Sequence, residues 1–198
     1  LKSGDSKGSI SNSLNCLAGV FDWNGCKKPN KLAKLEGNSK GDVLIFGKAS
    51  GLGSACSLEA GGKCFSAAFT PTPLTRAECE AEKGKLGING CNYDNDSWAG
   101  AVKQCGGVSK MPTADDLAKL ATELYKGNPT VGAKQRVGAE LDTSKATSLG
   151  LTGTYIYVWS GEEFNSDGAD LRYFLQSGTG WTSELRYATG FQAVCLGE

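Results

Sequence analysis

The clearest pattern of apolar and polar positions lies between residues 96 and 125, where it has the period of an α-helix. One apolar stripe recurs at the i, i+3, i+4 and i+7 positions of a helix face: Trp98, Ala101, Val102 and Cys105. A second stripe with the same period follows: Leu117, Leu120, Ala121, Leu124 and Tyr125. Asp96 or Ser97 can cap the first helix, and Thr113 with Asp116 forms a shortened capping box for the second. The pattern predicts two helices whose apolar faces pack into a core.

The last third of the chain has the shorter period of β-strands. Thr154 to Ser160 is rich in β-branched and aromatic residues, and Asp170 to Leu175 alternates between two faces. Leu185 to Ala188 and Phe191 to Leu196 predict a closing pair of strands turned at Thr189-Gly190. Two helices followed by short antiparallel strands predict an α+β fold.

Other regions are patterned more weakly. Asp42 to Phe46 predicts a buried strand, and residues 49–68 predict a glycine-rich hairpin around Gly61-Gly62. Residues 127–153 have no clear period, although a strand is suggested near residues 136–141.

A stiff extended segment, Thr70 to Pro73, marks a soft domain boundary. A capping box from Thr75 to Glu78 opens a short helix directly after it. We predict a disulfide-clipped N-terminal extension over residues 1–73 and an α+β domain over residues 74–198.

Composition changes this picture mainly through the cysteines. The chain of 198 residues contains eight cysteines and no histidine, and none of the cysteines forms a Cys-x-x-Cys pair. A zinc site is therefore disfavoured, and disulfides formed in an oxidising compartment are favoured. Local spacing suggests the pairs Cys16–Cys26, Cys56–Cys64 and Cys79–Cys91. The first of these loops holds Trp23, which is either a packing residue or a platform for a ligand.

The charge of the chain excludes some partners. Formal net charge is zero, so no nucleic acid or acidic membrane surface is indicated as a partner. No apolar run is long enough to span a membrane, and any export or anchoring segment is expected to have been removed or to lie outside this sequence. Residues 1–48 hold eight lysines and four acids, whereas residues 159–198 hold two arginines and six acids. This asymmetry indicates either two solvated surfaces or head-to-tail attraction between subunits.

Several motifs resemble those of one known family. The spacing Trp98-x-x-Ala101-x-x-x-Cys105 resembles the first helix of C-type-lectin-like domains. Lys110 to Thr113 resembles the leucine-proline-threonine step of bacterial relatives, with methionine in place of leucine, and Tyr157 to Gly161 resembles their tryptophan-containing strand. The resemblance covers about residues 93 to 198. It implies a C-type-lectin-like domain with two helices, a mostly antiparallel sheet and a disulfide from Cys105 to Cys195.

The sequence departs from the sugar-binding members of that family. Their calcium and sugar motifs, Glu-Pro-Asn or Gln-Pro-Asp with Trp-Asn-Asp, do not occur. The resemblance therefore implies a scaffold without calcium-dependent sugar binding. The oxygen-rich run Asn92 to Asp96 lacks the distal glutamate of a calcium loop, which favours loop and capping roles over a calcium site. We expect no metal and no cofactor.

Catalysis is also disfavoured. Without histidine there is no Ser-His or Cys-His pair. Glu162 and Glu163 are adjacent, so on a strand they point to opposite faces, and Asp115 with Asp116 complements a helix dipole. A non-enzymatic protein is the expectation, and a hydrolase is the least favoured hypothesis.

Residues 160–190 combine aromatic anchors with small polar residues, which is typical of binding surfaces. The candidate ligand contacts are Glu162, Glu163, Phe164, Asn165, Asp167, Arg172, Tyr173, Phe174, Trp181, Arg186 and Tyr187. The opposing interpretation places Tyr173, Trp181 and Leu185 in the core. Lectin-like proteins that bacterial and phage retroelements diversify have a similar layout, in which closing residues vary before a fixed last strand.

A second resemblance concerns the whole chain. Type IV pilins and pseudopilins have a hydrophobic N-terminal helix followed by a disulfide-clipped head, and the polar start and C-terminal bridged loop are similar to such a head. The leading hypothesis is an extracellular or cell-surface bacterial protein that binds a protein or glycan ligand on another cell, either by itself or carried on a pilin-like subunit. The alternative is a structural filament subunit without its own ligand. Its assembly would depend on Lys27, Lys28, Lys31 and Lys34.

Overall fold

The computed structural model describes residues 56–197 in full and, nearer the N-terminus, the backbone of two short strands. The chain divides into two compact units, Leu1–Ser50 and Gly51–Glu198. In the first unit, β1 (Asp22–Trp23) pairs antiparallel with β2 (Gly25–Cys26). The predicted strand Asp42 to Phe46, the predicted Cys16–Cys26 disulfide and the role of the Trp23 side chain lie outside the described residues. The boundary at residue 73 stays a prediction.

The second unit is an α+β structure, as the sequence predicts. Over residues 56–197 it contains four helices and two antiparallel sheets, one formed by two strands and the other by three strands that pair in chain order. The elements are β3 (Leu58–Ala60), β4 (Lys63–Phe65), α1 (Arg76–Leu86), α2 (Ser97–Cys105), α3 (Ala114–Leu124), α4 (Thr143–Leu149), β5 (Ile156–Glu163), β6 (Gly168–Leu175) and β7 (Gly178–Leu185). A single 3₁₀ turn, Val108–Lys110, connects α2 to α3.

Side chains cap three helices at the positions that the sequence predicts. Thr75 and Glu78 form the capping box of α1, and Thr113 with Asp116 forms that of α3. Of the two candidate caps for α2, it is Asp96 that accepts a hydrogen bond from the backbone of Ala99, at 2.8 Å.

The three-stranded sheet separates two groups of side chains. Residues opposite each other in the ladders share a face, so Tyr157, Tyr173 and Gly180 lie on what we name the first face. Val158, Arg172 and Trp181 lie on the second face. The order of strands thus places alternate residues of β5, β6 and β7 in two different environments.

Each face packs against a different helix group. The second face joins a buried cluster with α3 and α4: Leu117, Leu120, Leu124, Ala146, Ile156, Val158 and Phe174. Part of the first face joins another cluster with α1 and α2: Cys79, Trp98, Val102, Cys105, Trp159 and Leu171. The indole N–H of Trp98 donates to the carbonyl of Ser160 at 2.7 Å, which fixes α2 against β5.

Three disulfides connect the described residues, and they confirm three predicted pairs. Cys56–Cys64 closes the β3–β4 hairpin, and Cys79–Cys91 ties α1 to the loop that follows it. Cys105–Cys195 joins the end of α2 to the end of the chain, with Cα atoms 5.3 Å apart. These disulfides fit a protein of an oxidising, non-cytoplasmic compartment. No helix within residues 56–197 has the length and apolar character needed to cross a membrane.

The prediction of a strand near residues 136–141 is wrong. Only isolated bridges occur there, Val137 with Thr179 and Leu141 with Tyr125. The same region contains α4, which Asp142 caps and whose short polar sequence has no helical period that could reveal it.

The predicted pairing of Leu185 to Ala188 with Phe191 to Leu196 is also wrong. Leu185 ends β7, and its carbonyl accepts from Ala188 in a turn at 3.0 Å. The terminal segment instead bridges to other elements, with Gln192 beside Val158 and Ala193 beside Phe69. Alternation identifies a segment as extended, but tertiary packing selects its partner.

A buried carboxylate makes one pH dependence predictable. Asp116 is 2% exposed, and its carboxylate lies 3.2 Å from the Lys63 ammonium. Burial alone would raise the pKa of Asp116, but the Thr113 N–H and Lys63 outweigh burial and hold that pKa below its usual value. The interaction therefore contributes stability above about pH 4, and this contribution is lost as the pH falls through the folded-state pKa.

We expect Asp116→Asn to lower the free energy of unfolding at neutral pH and to flatten its decline on acidification. Urea unfolding at a series of pH values would measure both effects. Asp115→Asn is the matched control, because Asp115 occupies the same helix turn but is exposed. Parallel pH curves for wild type and Asp116→Asn would contradict the prediction.

Candidate ligand-binding face

The part of the first face that the helices leave open carries a cleft of about 510 Å³. Side chains from strands β5, β6 and β7 line it, together with Arg136, Tyr155 and Phe191 from outside the strands. The lining side chains are Arg136, Tyr155, Tyr157, Leu171, Tyr173, Leu175, Thr182, Glu184 and Phe191. The cleft therefore combines four aromatic rings, three of them phenols, with one cation, one carboxylate and the Thr182 hydroxyl.

The aromatic rings are positioned by the ladder and by the terminal segment. Tyr157 and Tyr173 are opposite each other on adjacent strands, with ring centroids 6.1 Å apart. Phe191 packs on Tyr157 at 4.8 Å and on buried Trp159 at 5.1 Å, so the cleft is anchored to the core. Gly180 stands opposite Tyr173, and a Cβ atom there would collide with the Tyr173 ring. The absence of a side chain at Gly180 lets that ring lie across β7.

The cleft carries separated charges. The Arg136 guanidinium lies over the Tyr173 ring at 5.4 Å from its centroid. Glu184 is exposed on β7 and forms no ion pair with any residue in the range 56–197. A ligand that offers an apolar or planar portion together with polar groups matches this combination.

Three of the aromatic residues among the predicted contacts, Tyr173, Trp181 and Tyr187, occupy three different places. Tyr173 lines the cleft on the first face. Trp181 is half-buried on the second face, where the Lys134 ammonium lies 5.6 Å from its ring centroid. Tyr187 follows β7 and packs edge-on against Tyr93 at 4.9 Å. Their joint replacement would therefore perturb three separate environments.

Three further predicted contacts are buried side chains. Phe174 belongs to the cluster beneath the second face. Arg172 is fully buried and donates to the carbonyls of Gly132, Ala133 and Gln135 at 2.8–3.2 Å. Burial lowers the pKa of Arg172 to about 10. These side chains hold the loop and sheet in place from the interior, away from an exposed binding surface.

Arg186 is the third buried side chain among the predicted contacts, and it forms the most extensive polar contacts of the three. Its guanidinium donates to Asp96 at 2.6 and 2.9 Å, to Glu163 at 3.3 Å and to the Gly90 carbonyl at 2.8 Å. It also lies over the Trp98 ring, 4.6 Å from the centroid. Arg186 and Asp96 are both fully buried. We name this group, Arg186 with Asp96 and Glu163, the arginine clamp.

The remaining predicted contacts cluster at the turn between β5 and β6. Glu162 accepts from the Ala114 backbone at 2.7 Å, and Asn165 accepts from the backbone of Asp167 and Gly168 within the turn. The Asp167 carboxylate accepts a hydrogen bond from the Asn92 amide. Phe164 is 66% exposed and points away from the core. Most polar residues of this turn thus already have partners within the chain.

The oxygen-rich run Asn92 to Asp96 is divided by the fold. Asp96 is buried in the arginine clamp, whereas Asp94 is exposed and lies 3.6 Å from Arg76. Within residues 56–197 no group of three histidine, cysteine, aspartate or glutamate side chains has a metal-binding arrangement.

Eight residues of the cleft were not among the predicted contacts: Arg136, Tyr155, Tyr157, Leu171, Leu175, Thr182, Glu184 and Phe191. The alternation within Thr154 to Ser160 already places Tyr155 and Tyr157 on one face, so that signal was present in the sequence. Arg136 and Phe191 come from segments whose positions depend on isolated bridges, and no local pattern indicates them.

Comparison of the chain with protein-family models, with curated proteins and with solved structures found no match. The geometry of the cleft and the motifs of the sequence are therefore the basis for a functional assignment.

Proposed function

We propose that this chain is a non-enzymatic, extracytoplasmic bacterial protein that binds a protein or glycan ligand on another cell surface. The cleft on the first face is the binding site. Its four aromatic rings, with Arg136 and Glu184 at their margins, are the observation that carries the proposal. Aromatic side chains supply large contact areas at low entropic cost, and flanking charges add specificity.

A C-type-lectin-like scaffold is part of the proposal. It is supported by the Cys105–Cys195 disulfide, which joins a helix of the Trp-x-x-Ala-x-x-x-Cys pattern to the end of the chain. Trp98 on that helix packs in the core that also holds Trp159 of β5. Display on a pilin-like subunit and diversification of residues 160–190 are further parts of the proposal, and they rest on the sequence resemblances.

The absence of catalysis is proposed from the way in which the acidic residues are used. Asp116 caps α3 and binds Lys63, and Asp96 caps α2 within the arginine clamp. Glu162 binds the N-terminus of α3. These carboxylates are therefore occupied in holding the fold.

We expect the double replacement Tyr157→Ala and Tyr173→Ala to weaken ligand binding at least about tenfold, because two central rings of the cleft are removed. The probes are a glycan array and a phage-displayed library of random peptides, screened with the wild-type protein. The hits are then titrated against each variant.

Phe164→Ala with Tyr187→Ala is the matched control, since it also removes two exposed aromatic rings but leaves the cleft intact. The control should bind like the wild type. Thermal unfolding of each variant establishes that it is folded. Loss of binding in the control, with full binding retained by the cleft variant, would place the ligand at the other end of the sheet and refute the proposed site.

A further inference from the structure

Strand β7 lies at the edge of the sheet, and alternate residues direct their backbone N–H and C=O groups away from β6. The first of these residues, Thr179, is already paired with Val137. The N–H and C=O of Thr179 both face away from β6, and each bonds to Val137 at 2.9 Å. The β6–β7 ladder continues without a register shift to the pair Gly168 and Leu185. Because alternate residues of an antiparallel strand direct their backbone groups to the same side, those of Trp181 and Ser183 also face outward.

These outward groups have no partner within the part of the chain that the structure describes. The backbone N–H and C=O of Trp181 and Ser183 form no hydrogen bond on the outer side of β7. Side chains from Thr182 to Leu185 are exposed. The open stretch is short, because Val137 occupies one end and the Leu185 carbonyl already accepts from Ala188 at the other.

Within residues 56–197, this edge has few of the features that usually protect a sheet edge from a partner. The edge strands of natural proteins are commonly protected by lysine, by proline, by a bulge or by a segment that covers them. From Trp181 to Leu185 there is no proline, lysine or bulge, and the single charge is that of Glu184, whose carboxylate accepts a hydrogen bond from the Leu185 N–H at 3.3 Å. Glu184 and Thr182 also line the cleft, so the open edge and the cleft adjoin.

We propose that an extended peptide segment of another protein pairs with the outer edge of β7 as an added strand. It bonds to the backbone of Trp181 and Ser183, and it places a lysine or arginine beside Glu184, whose carboxylate has no ion-pair partner in residues 56–197. This inference rests on the proposed function and narrows its ligand to a peptide chain, part of which reaches the adjoining cleft.

A second copy of this chain fits the edge less well. An antiparallel pairing that uses all four free groups sets Trp181 opposite Ser183 of the copy. The Leu185 of that copy then falls opposite Thr179, where Val137 is already bound. A short peptide of another protein meets no such obstruction.

The test uses peptides selected from the phage-displayed random library on the wild-type protein. Ser183→Pro removes one outward N–H and places a ring on the edge, while it leaves the β6–β7 ladder intact, because that N–H does not face β6. We expect it to lower peptide affinity at least about tenfold. Ser183→Ala keeps the N–H and should stay within about twofold of the wild type. Glu184→Gln should remove a preference for basic residues among the selected peptides.

Hydrogen exchange provides a second measurement. The amides of Trp181 and Ser183 should exchange rapidly in the free protein and slowly in the peptide complex. Slow exchange in the free protein would mean that the edge is already paired and would overturn the inference. A dimer in solution that Ser183→Pro dissociates would overturn it in favour of self-pairing.

The outcomes separate the edge from the cleft. Unchanged affinity in folded Ser183→Pro, together with a loss in the Tyr157→Ala and Tyr173→Ala variant, would overturn the edge inference and leave the proposed function standing. If the library yields no peptide while the array shows glycan binding, the edge inference is likewise overturned and the proposed function stands. Loss in Ser183→Pro with full binding by the cleft variant would support the edge and refute the cleft as the site.

Discussion

Replacement of Arg186 by methionine should destabilise the protein by about 3–5 kcal/mol, because it leaves the buried Asp96 carboxylate without its cation. Arg186 and Asp96 are both inaccessible to solvent, and the guanidinium also binds Glu163 and the Gly90 carbonyl. The arginine clamp thereby joins the end of β5, the loop before α2 and the segment after β7. Urea unfolding of the folded variant measures the loss.

Two comparisons isolate the cause of this loss. Arg76→Met makes the same chemical change at an exposed arginine paired with Asp94, and it should cost less than about 1 kcal/mol. Combining Arg186→Met with Asp96→Asn should cost clearly less than the sum of the single changes, since the second change removes the unpaired charge. A loss below about 1 kcal/mol for Arg186→Met, or strict additivity of the pair, would contradict the role of the clamp.

Removal of the Cys105–Cys195 disulfide should have a comparable effect. The two cysteines are 90 positions apart, and closing a loop of that length stabilises the folded state by about 4–5 kcal/mol in the chain-entropy model. Both residues are buried, so Cys105→Ala with Cys195→Ala avoids placing hydroxyl groups in the core. We expect a large fall in the urea midpoint.

The Cys56–Cys64 disulfide offers a matched control. Its cysteines are only 8 positions apart, so replacing both by alanine should cost about 2–3 kcal/mol. We predict that removing the long disulfide lowers the free energy of unfolding by more than removing the short one does. If the short disulfide proves the more stabilising one, or if both removals have equal effects, loop closure is not what the long disulfide contributes.

The parts of the fold that could be predicted from the sequence are those set by local chemistry. The apolar stripes and caps identify α2 and α3, because helix period and cap residues act within a few positions of each other. The β3–β4 hairpin is identified in the same way, since its turn glycines Gly61 and Gly62 both adopt positive φ. Short spacings between cysteines likewise indicate the two local disulfides.

Strand partners could not be predicted, because nothing local to a segment encodes which strand lies beside it. Phe191 to Leu196 has the composition of a strand, yet its neighbours are Val158 and residues in the 65–69 segment. Val137 pairs with Thr179, and the loop that precedes Val137 is bound by the Arg172 side chain. These contacts depend on side chains far apart in the chain.

Five of the nine residues that line the cleft fall within residues 160–190, and one of these, Tyr173, is a predicted contact. Tyr173 lies in the cleft, whereas Arg172 and Arg186 lie in the interior because backbone carbonyls or carboxylates satisfy their charges there. An arginine in a sequence rich in polar and aromatic residues has the same local pattern whether it is exposed or buried. Only the distant partners, Asp96 for Arg186 and the 132–135 loop for Arg172, distinguish the two cases.

The scaffold beneath the cleft depends on one covalent connection between a mid-chain helix and the end of the chain. Proteolytic mapping without reduction, with free thiols alkylated first, tests that connection directly. The peptide that contains Cys105 should be recovered joined to the peptide that contains Cys195, and the two should separate only after reduction. Recovery of Cys105 as an alkylated thiol, or joined to Cys79 or Cys91, would contradict the proposed scaffold.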